Sequence, residues 1–566
     1  MIDPREINLS ELCWQPGPKK TAKGLKAAVS TDNAVVTYSM LNILRQGGTA
    51  FDAAIAGCLL QGTIEPFMTN HAGSVTFLCY QAKTGQYYQM DSTGTYPPHL
   101  PLHRPIPVQR SGYAAGAVHS CIPGFMKGLK AIHQRFGTLG WDELCKEAIY
   151  WAEHGNHVSQ FELEATIAGG DILTYFPEGR EFYYQGDYLP RVGERFPKPA
   201  LAATLRKVAV EGPDYMITGD WAEEFVAKAN ELGWKITLDD MAANPPRWIE
   251  PLRFSVRDYE LVVLGPPQQQ GLQVALVLGI LDQLGIDQYQ PYSAEHLYFM
   301  AHALRVGNLL VGYVNDPVVS EMDARLFTDP TYHKYWAEII KGHMPKVDLT
   351  KHMQLTAKTS VANHTGIHRL AFDDHQPEAK AGSCELSVVD AEGNWVQMMN
   401  TLQGGGIPGM VIGGVPMIGN HSSTNSFRAM DIKLVEGARQ RLIMGHTMLL
   451  KDGKPVLQIG TPGSPPNTQA QALCNLIFFQ MEPYQAISEP RMYALMDDNS
   501  LVIENRIAPD VVKELVALGI NVRVNHIWDW HMGSFQCCYL DRKTGQLCTT
   551  VDPRRCGVAD GLPASQ

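Results

Sequence analysis

The chain has 566 residues, 45% of them apolar and 19% charged, with a formal net charge of −11. That length can bury a large core and ordinarily folds as two or more domains, in the composition range of globular proteins. The acidic balance, with no lysine–arginine cluster interleaved with aromatics, argues against nucleic acid as a partner.

In chain order, the start Met1-Ile2-Asp3-Pro4-Arg5-Glu6 lacks the apolar segment of a secretory signal. No apolar run reaches the ~18 residues of a membrane helix. Two helices are expected over 34–62, interrupted by Gly47-Gly48, and Glu65-Pro66 then breaks the second. A strand over 73–80 turns at Lys83-Thr84-Gly85-Gln86 into a partner over 87–91, so this is a strand hairpin beside helices and not a parallel repeat. Helical pattern follows over 123–168, 199–210, 220–232, 271–284 and 293–313. A polar stretch without clear period covers about 341–380. Beyond it, strands are expected over 386–389, 395–401, 444–450 and 455–460, helices over 469–480 and 509–518, and last strands near 521–524 and 534–540. The eleven cysteines are scattered without a CxxC pair, which indicates free thiols and no zinc ribbon. The expectation is a cytoplasmic protein with no metal, no cofactor and no membrane partner.

The chemistry centres on Gly382-Ser383-Cys384-Glu385. Leu386 to Val389 reads as a strand, Asp390-Ala391-Glu392-Gly393-Asn394 as a turn, and Trp395 to Thr401 as the returning strand. A serine preceded by glycine thus stands at the mouth of a hairpin, behind a long polar segment. That layout suits an N-terminal-nucleophile hydrolase, in which the Gly382–Ser383 bond is cut and Ser383 becomes a new chain start. Its α-amino group, with an ordinary pKa of about 7.7–8.0, then serves as the base for its own hydroxyl. On its own, a Gly-Ser pair opening a hairpin is commonly just a hairpin, so the rest of the chain must decide. Two other patterns do not carry chemistry. Gly404-Gly405-Gly406-Ile407-Pro408-Gly409 satisfies GxGxxG but opens no helix. His154 and His157 have metal-like spacing but sit at a helix end beside glycine, where a cap or solvated histidine is the plainer reading.

The decision comes from a resemblance in family order along nearly the whole chain. Arg45-Gln46-Gly47-Gly48-Thr49-Ala50-Phe51-Asp52-Ala53-Ala54, Glu65-Pro66, Pro123-Gly124, Thr237-Leu238-Asp239-Asp240, Gly265-Pro266-Pro267, Leu386-Ser387-Val388-Val389-Asp390, Gly393-Asn394, Thr401-Leu402, Lys451-Asp452-Gly453-Lys454 and Pro462-Gly463-Ser464 together resemble the gamma-glutamyltranspeptidase family. The resemblance implies an α+β fold, a four-layer αββα sandwich assembled from two segments made by self-cleavage: 1–382, with 342–382 as a polar linker, and 383–566. The two cleaved segments stay associated as each other's partners. It places the nucleophile at Ser383, where the family carries threonine, and a supporting hydroxyl at Thr401. It places the oxyanion hole at the backbone N–H groups of Gly463 and Ser464, one such donor being worth about 10²–10³ in rate.

The departures bear on the substrate. The family's carboxylate-clamping arginine falls at Thr93, and one hydroxyl does not replace a bidentate guanidinium. Paired serines of the family fall at Leu442 and Ile443, its asparagine at Gln403, and its acidic pair is not evident from Asn420 to Asn425. The substrate-binding candidates are therefore Thr93, Gln403, Asn420, Leu442 and Ile443. The resemblance thus implies an amidohydrolase working through an acyl-Ser383 ester on some amide other than a γ-glutamyl one, with a true gamma-glutamyltransferase or glutathione hydrolase as the alternative and a non-catalytic scaffold relative as the second. A small acidic acyl group would need another cation, for which Arg104 and Arg110 are candidates. Cys384 alternates to the opposite face of its strand and is expected in packing.

Overall fold

The computed structural model describes residues 2–12, 16–98, 121–319, 322–344, 382–407, 409–417, 435–440, 442–463, 465–495 and 499–564. Its strands in chain order are β1 (Ala22–Thr31), β2 (Ser74–Gln81), β3 (Gln86–Ser92), β4 (Arg247–Ile249), β5 (Leu252–Val256), β6 (Tyr259–Val263), β7 (Ser383–Val389), β8 (Trp395–Thr401) and β9 (Val411–Ile412). There follow β10 (Val415–Pro416), β11 (His446–Lys451), β12 (Lys454–Gly460), β13 (Met492–Ala494), β14 (Ser500–Glu504), β15 (Asn521–Asn525), β16 (Gln536–Leu540), β17 (Leu547–Val551) and β18 (Val558–Pro563). Thirteen of them make one sheet in the order β4-β3-β2-β8-β7-β1-β17-β16-β12-β11-β6-β5, with β18 also paired to β1. Every pairing in this sheet is antiparallel. Helices and sheet together make an α+β fold.

The sheet is bent so that β7 and β8 contact β12, and β2 contacts β11. Alternation along each strand decides what lies between the two halves. On β7, Leu386 and Val388 point outward into a core shared with the helices Ala34–Arg45, Ala50–Ile64, Phe125–Phe136, Trp141–His154 and Pro199–Glu211. Leu261, Leu449 and Ile459 of the other half pack against the helices Gln270–Leu284, Ala294–Val311, Pro330–His343, Pro465–Ile477 and Pro509–Ala517. Between the halves, Ala28, Leu78, Met399, Leu442, Met448 and Cys538 form an inner apolar cluster.

Local chemistry explains the helix packed against β7. Thr49 and Asp52 form a capping box at the start of Ala50–Ile64. Asp52 also accepts the Thr138 N–H at 2.8 Å, tying that helix start to the next loop. The hairpin turn is held by Asp390, whose carboxylate accepts the N–H of Glu392 and Asn394, both at 3.0 Å, and of Ala50 at 2.9 Å.

The expected elements at 34–62, 73–91, 199–210, 271–284, 386–401 and 444–460 are present within a few residues. The helix expected over 469–480 runs Pro465–Ile477 instead, because a proline fits the first turn of a helix. Strands β1 and β18 escape a reading by propensity. β1 carries Lys23, Gly24 and Lys26, and β18 carries Gly561 and Pro563, yet each is ordered by its neighbours in the ladder. The helix Pro330–His343 runs two residues into the stretch assigned to the polar linker, whose residues 345–381 lie outside the described residues. Among the described residues, no helix is long and apolar enough to cross a membrane. The ten described cysteines are unbridged.

Candidate active site

Ser383 begins β7 and pairs directly with Thr401 at the end of β8. Strand alternation puts both side chains on the inner face of the sheet. The Ser383 Oγ lies 2.8 Å from the Gly382 carbonyl oxygen and 3.0 Å from Thr401 Oγ1. The Thr401 hydroxyl also donates to the Gly382 carbonyl, and it accepts the Gln403 N–H at 3.2 Å. Two hydroxyls therefore converge on the carbonyl of the bond between Gly382 and Ser383. Gly73 makes the approach feasible: a Cβ there would sit 1.8 Å from the Thr401 carbonyl oxygen.

The other edge of β7 is completed by side chains. Pairing with β1 ends at Leu386. Beyond it, Asp32 accepts the Glu385 N–H at 3.2 Å, and Arg555 donates to the Ser383 carbonyl at 3.0 Å. Arg555 and Asp32 lie 3.8 Å apart and are buried. Burial pushes Asp32 up to about 6, while the Arg555 charge and the Ser534 hydroxyl hold it back. Glu65 is buried beside them and is raised to about 8, by burial first and then by the Asp32 charge. Cys384 Sγ lies 3.6 Å from Glu65, and burial pushes its thiol well up. Cys384 is thus a packed, protonated thiol next to Phe67 and Met68, on the face away from Ser383.

The remaining candidates are placed as follows. Gly463 is buried with a φ of +72° in the loop after β12, and Ser464 lies outside the described residues. Gln403 is half-buried on the segment leaving Thr401. Thr93 is buried, its hydroxyl 3.0 Å from Asp91 Oδ1 and 3.1 Å from the Gln440 carbonyl. Leu442 is buried in the inner apolar cluster, whereas Ile443 is 42% exposed. Asn420, with the rest of 420–425, and both Arg104 and Arg110 lie outside the described residues. A cation does stand beside Thr93. It is Arg439, with Nη1 3.5 Å from the Thr93 carbonyl and Nε 3.8 Å from Asp91. His154 ends its helix, exposed, with Nδ1 2.8 Å from the Tyr150 carbonyl.

Asp32, Glu65, Glu385, His446, Arg439 and Arg555 were not singled out from the sequence as site residues. One signal was available. On β7 the residues Ser383, Glu385 and Ser387 alternate with Cys384, Leu386 and Val388, a polar face that in a hairpin normally meets water. Here that polar face is turned inward, with Glu385 and Ser387 fully buried.

A serine thus opens a strand, with a second hydroxyl beside it on the carbonyl of the preceding glycine. The sequence profile of the family described as gamma-glutamyltranspeptidase matches residues 39–562, and the chain belongs to that family. A "Glutathione hydrolase proenzyme" of Pseudomonas aeruginosa is 28% identical over 542 residues, covering 91% of each chain. An "Acylase ACY 1 proenzyme" of Pseudomonas sp. (strain SE83) is 26% identical over 562 residues, covering 96% of each. Among solved structures, the cephalosporin acylase from Bacillus halodurans superposes with a TM-score of 0.80 at 20% identity, covering 100% of both chains. The family is one of hydrolases and acylases, and this chain is read as an enzyme of that kind.

Proposed function

We propose that the chain is a self-processing amidohydrolase that acts through an ester on Ser383. The observation that carries this is the pair of hydroxyls, Ser383 and Thr401, on the Gly382 carbonyl. In maturation the Ser383 Oγ attacks the Gly382 carbonyl carbon, and the C–N bond breaks as the nitrogen takes the hydroxyl proton. Water then hydrolyses the ester, leaving a Gly382 carboxylate and a free Ser383 amine. In turnover that amine takes the Ser383 proton as Oγ attacks a substrate amide, the amine product leaves with that proton, and water releases the acid. Backbone N–H groups of Gly463 and Ser464 would bind the oxyanion. The two cleaved segments stay together because β7 pairs with β1, and β8 with β2, across the cut. The bent sheet and its outer helices would then form an αββα sandwich.

The substrate we infer is an amide whose acyl group lacks a free amino-acid headgroup. Thr93 spends its hydroxyl on Asp91 and Gln440, and Leu442 is apolar. The 28% identical glutathione hydrolase of P. aeruginosa favours a second reading, a γ-glutamyl hydrolase. A denaturing gel with intact mass tests the first step: the expected products are 1–382 and 383–566. A single mass after prolonged incubation overturns the maturation.

A further inference from the structure

We propose that Glu385 and His446 form a buried positioning pair that holds the nucleophile's strand to the segment bearing Leu442 and Ile443 and governs the rate of self-cleavage. The inference rests on Ser383 being the nucleophile. Glu385 lies two residues after Ser383 and projects to the same face of β7. His446 opens β11, three residues after Ile443. Both side chains are fully buried, and His446 Nδ1 is 2.9 Å from Glu385 Oε1. The same carboxylate oxygen accepts from Gln397 Nε2 on β8 at 2.6 Å. His446 Nε2 lies 3.0 Å from Thr76 Oγ1 and 3.3 Å from the Thr76 carbonyl, on β2. The pair thereby joins β7, β8 and β2 to β11 across the gap between the two halves of the sheet. It also touches the end of β12, three residues before Gly463: a Cβ on Gly460 would lie 2.2 Å from Glu385 Oε1.

Adhesion does not call for such a pair. The neighbouring contacts between the halves are the apolar ones from Leu78 and Met399 to Met448 and a neutral hydrogen bond from Gln458 Nε2 to Ser387 Oγ at 2.8 Å, and burying an ion pair commonly costs as much as its attraction returns. What the pair adds is direction, since charge-assisted hydrogen bonds fix both distance and angle. The distances suit the tautomer that donates from Nδ1 to Glu385 and accepts the Thr76 hydroxyl at Nε2. Among the described residues Glu385 Oε2 has no hydrogen-bond partner, which makes a proton on this carboxyl less costly. Burial raises Glu385 to about 7 against the pull of His446 and Gln397, with the Asp32 charge adding to the rise. The other titratable groups around this cluster are Cys58 from the helix below, and Arg555 and Glu65 beside Asp32.

Self-cleavage is the informative reaction, because it precedes the existence of any α-amine on Ser383. An inflection near neutral pH in its rate then belongs to side chains. The experiment follows cleavage of purified precursor from pH 5.5 to 9 for the wild type, Glu385→Gln, His446→Gln and the double variant, each checked for a cooperative unfolding transition. We expect an inflection near pH 7 in the wild type, its loss in Glu385→Gln, and slowing of about 10- to 100-fold in either single variant. The double variant should be no slower than the slower single one, since the two residues act as a unit. An unchanged inflection in Glu385→Gln, or multiplying effects in the double variant, overturns the pair while leaving Ser383 standing. A wild type that never cleaves overturns the nucleophile reading and this inference with it. Should Glu385→Gln fail to fold, imidazole NMR of His446 in the uncleavable Ser383→Ala protein decides. A change in the ring shifts near pH 7, reporting the Glu385 carboxyl beside it, supports the pair, and ring shifts flat from pH 5.5 to 9 sink it.

Discussion

The inner ends of β7 and β3 lie in the same sheet but use their polar side chains differently. At the start of β7, Ser383 and Thr401 direct their hydroxyls at a single carbonyl group, and Arg555 and Asp32 secure the backbone from the open edge. At the end of β3, Thr93 is turned into a network of its own: Asp91 takes its hydroxyl, Gln268 donates to Asp91 at 2.5 Å, and Arg439 lies alongside. One region gathers its hydroxyls on the Gly382–Ser383 peptide bond. The other gathers its polar side chains around Asp91. Strand register alone places the Ser383 hydroxyl, whereas Thr93 is set by the long side chains around it. On the function proposed above, the first arrangement serves chemistry and the second recognition.

The largest effect that can break this contrast is at Ser383. Ser383→Ala removes the hydroxyl that contacts Gly382 and should abolish both cleavage and turnover, while Ser383→Thr should keep cleavage. Cleavage at the same bond in Ser383→Ala, read by intact mass, would mean that another group is the nucleophile. Next comes recognition. A free amino-acid headgroup brings a carboxylate and an ammonium that must both be desolvated. With Thr93 and Leu442 in place of charge-assisted partners, γ-glutamyl anilides should show kcat/KM about 10²–10⁴ below that of neutral acyl anilides. Equal or better γ-glutamyl release restores the glutathione hydrolase reading.

The hairpin at 383–401 was legible because strand alternation, turn chemistry and the resemblance all pointed to one register. The outer elements were less so. β1 is interrupted by Gly24 and lined with lysines, and it becomes the central strand only through β7 on one edge and β17 and β18 on the other. The polar face of β7 was visible as a pattern but not as an interior, since alternation alone does not say which side meets water. Arg555 reaches Ser383 from 172 positions away, a contact that no local window contains. Leu442 and Ile443 are adjacent apolar candidates in the sequence, and the structure divides them into a core residue and an exposed one.

A smaller effect sharpens the nucleophile end. Thr401 supplies the second hydroxyl on the Gly382 carbonyl, so Thr401→Val should slow self-cleavage about tenfold, the value of one neutral hydrogen bond. Thr401→Ser should restore most of the rate. An unaltered rate in Thr401→Val would leave Ser383 acting alone on that carbonyl.

The smallest effect concerns stability and tests whether the carboxyl groups behind Ser383 are held protonated. Glu65 stands at about 8 in the folded chain, raised chiefly by burial, against an ordinary value of 4.5. The folded state therefore binds this proton more tightly than the unfolded state between those two values. The stabilisation it contributes is complete below pH 4.5 and is lost as pH rises through 8. Each pH unit in that window is worth at most about 1.4 kcal/mol, and the coupling of Glu65 to Asp32 spreads the loss between the two carboxyls. In the single-chain Ser383→Ala background, Glu65→Gln should keep the amide's hydrogen-bonding capacity without that proton. Urea unfolding at pH 5, 7 and 9 is then expected to show the variant gaining on its parent by roughly 1–3 kcal/mol across the range. A gap between the two proteins that stays constant from pH 5 to 9 would mean that Glu65 is already ionised beside Arg555. The protonated thiol and carboxyl at the back of the nucleophile's strand would then have to be redrawn as an ion pair, bringing that end of the sheet closer in character to the charged network around Thr93.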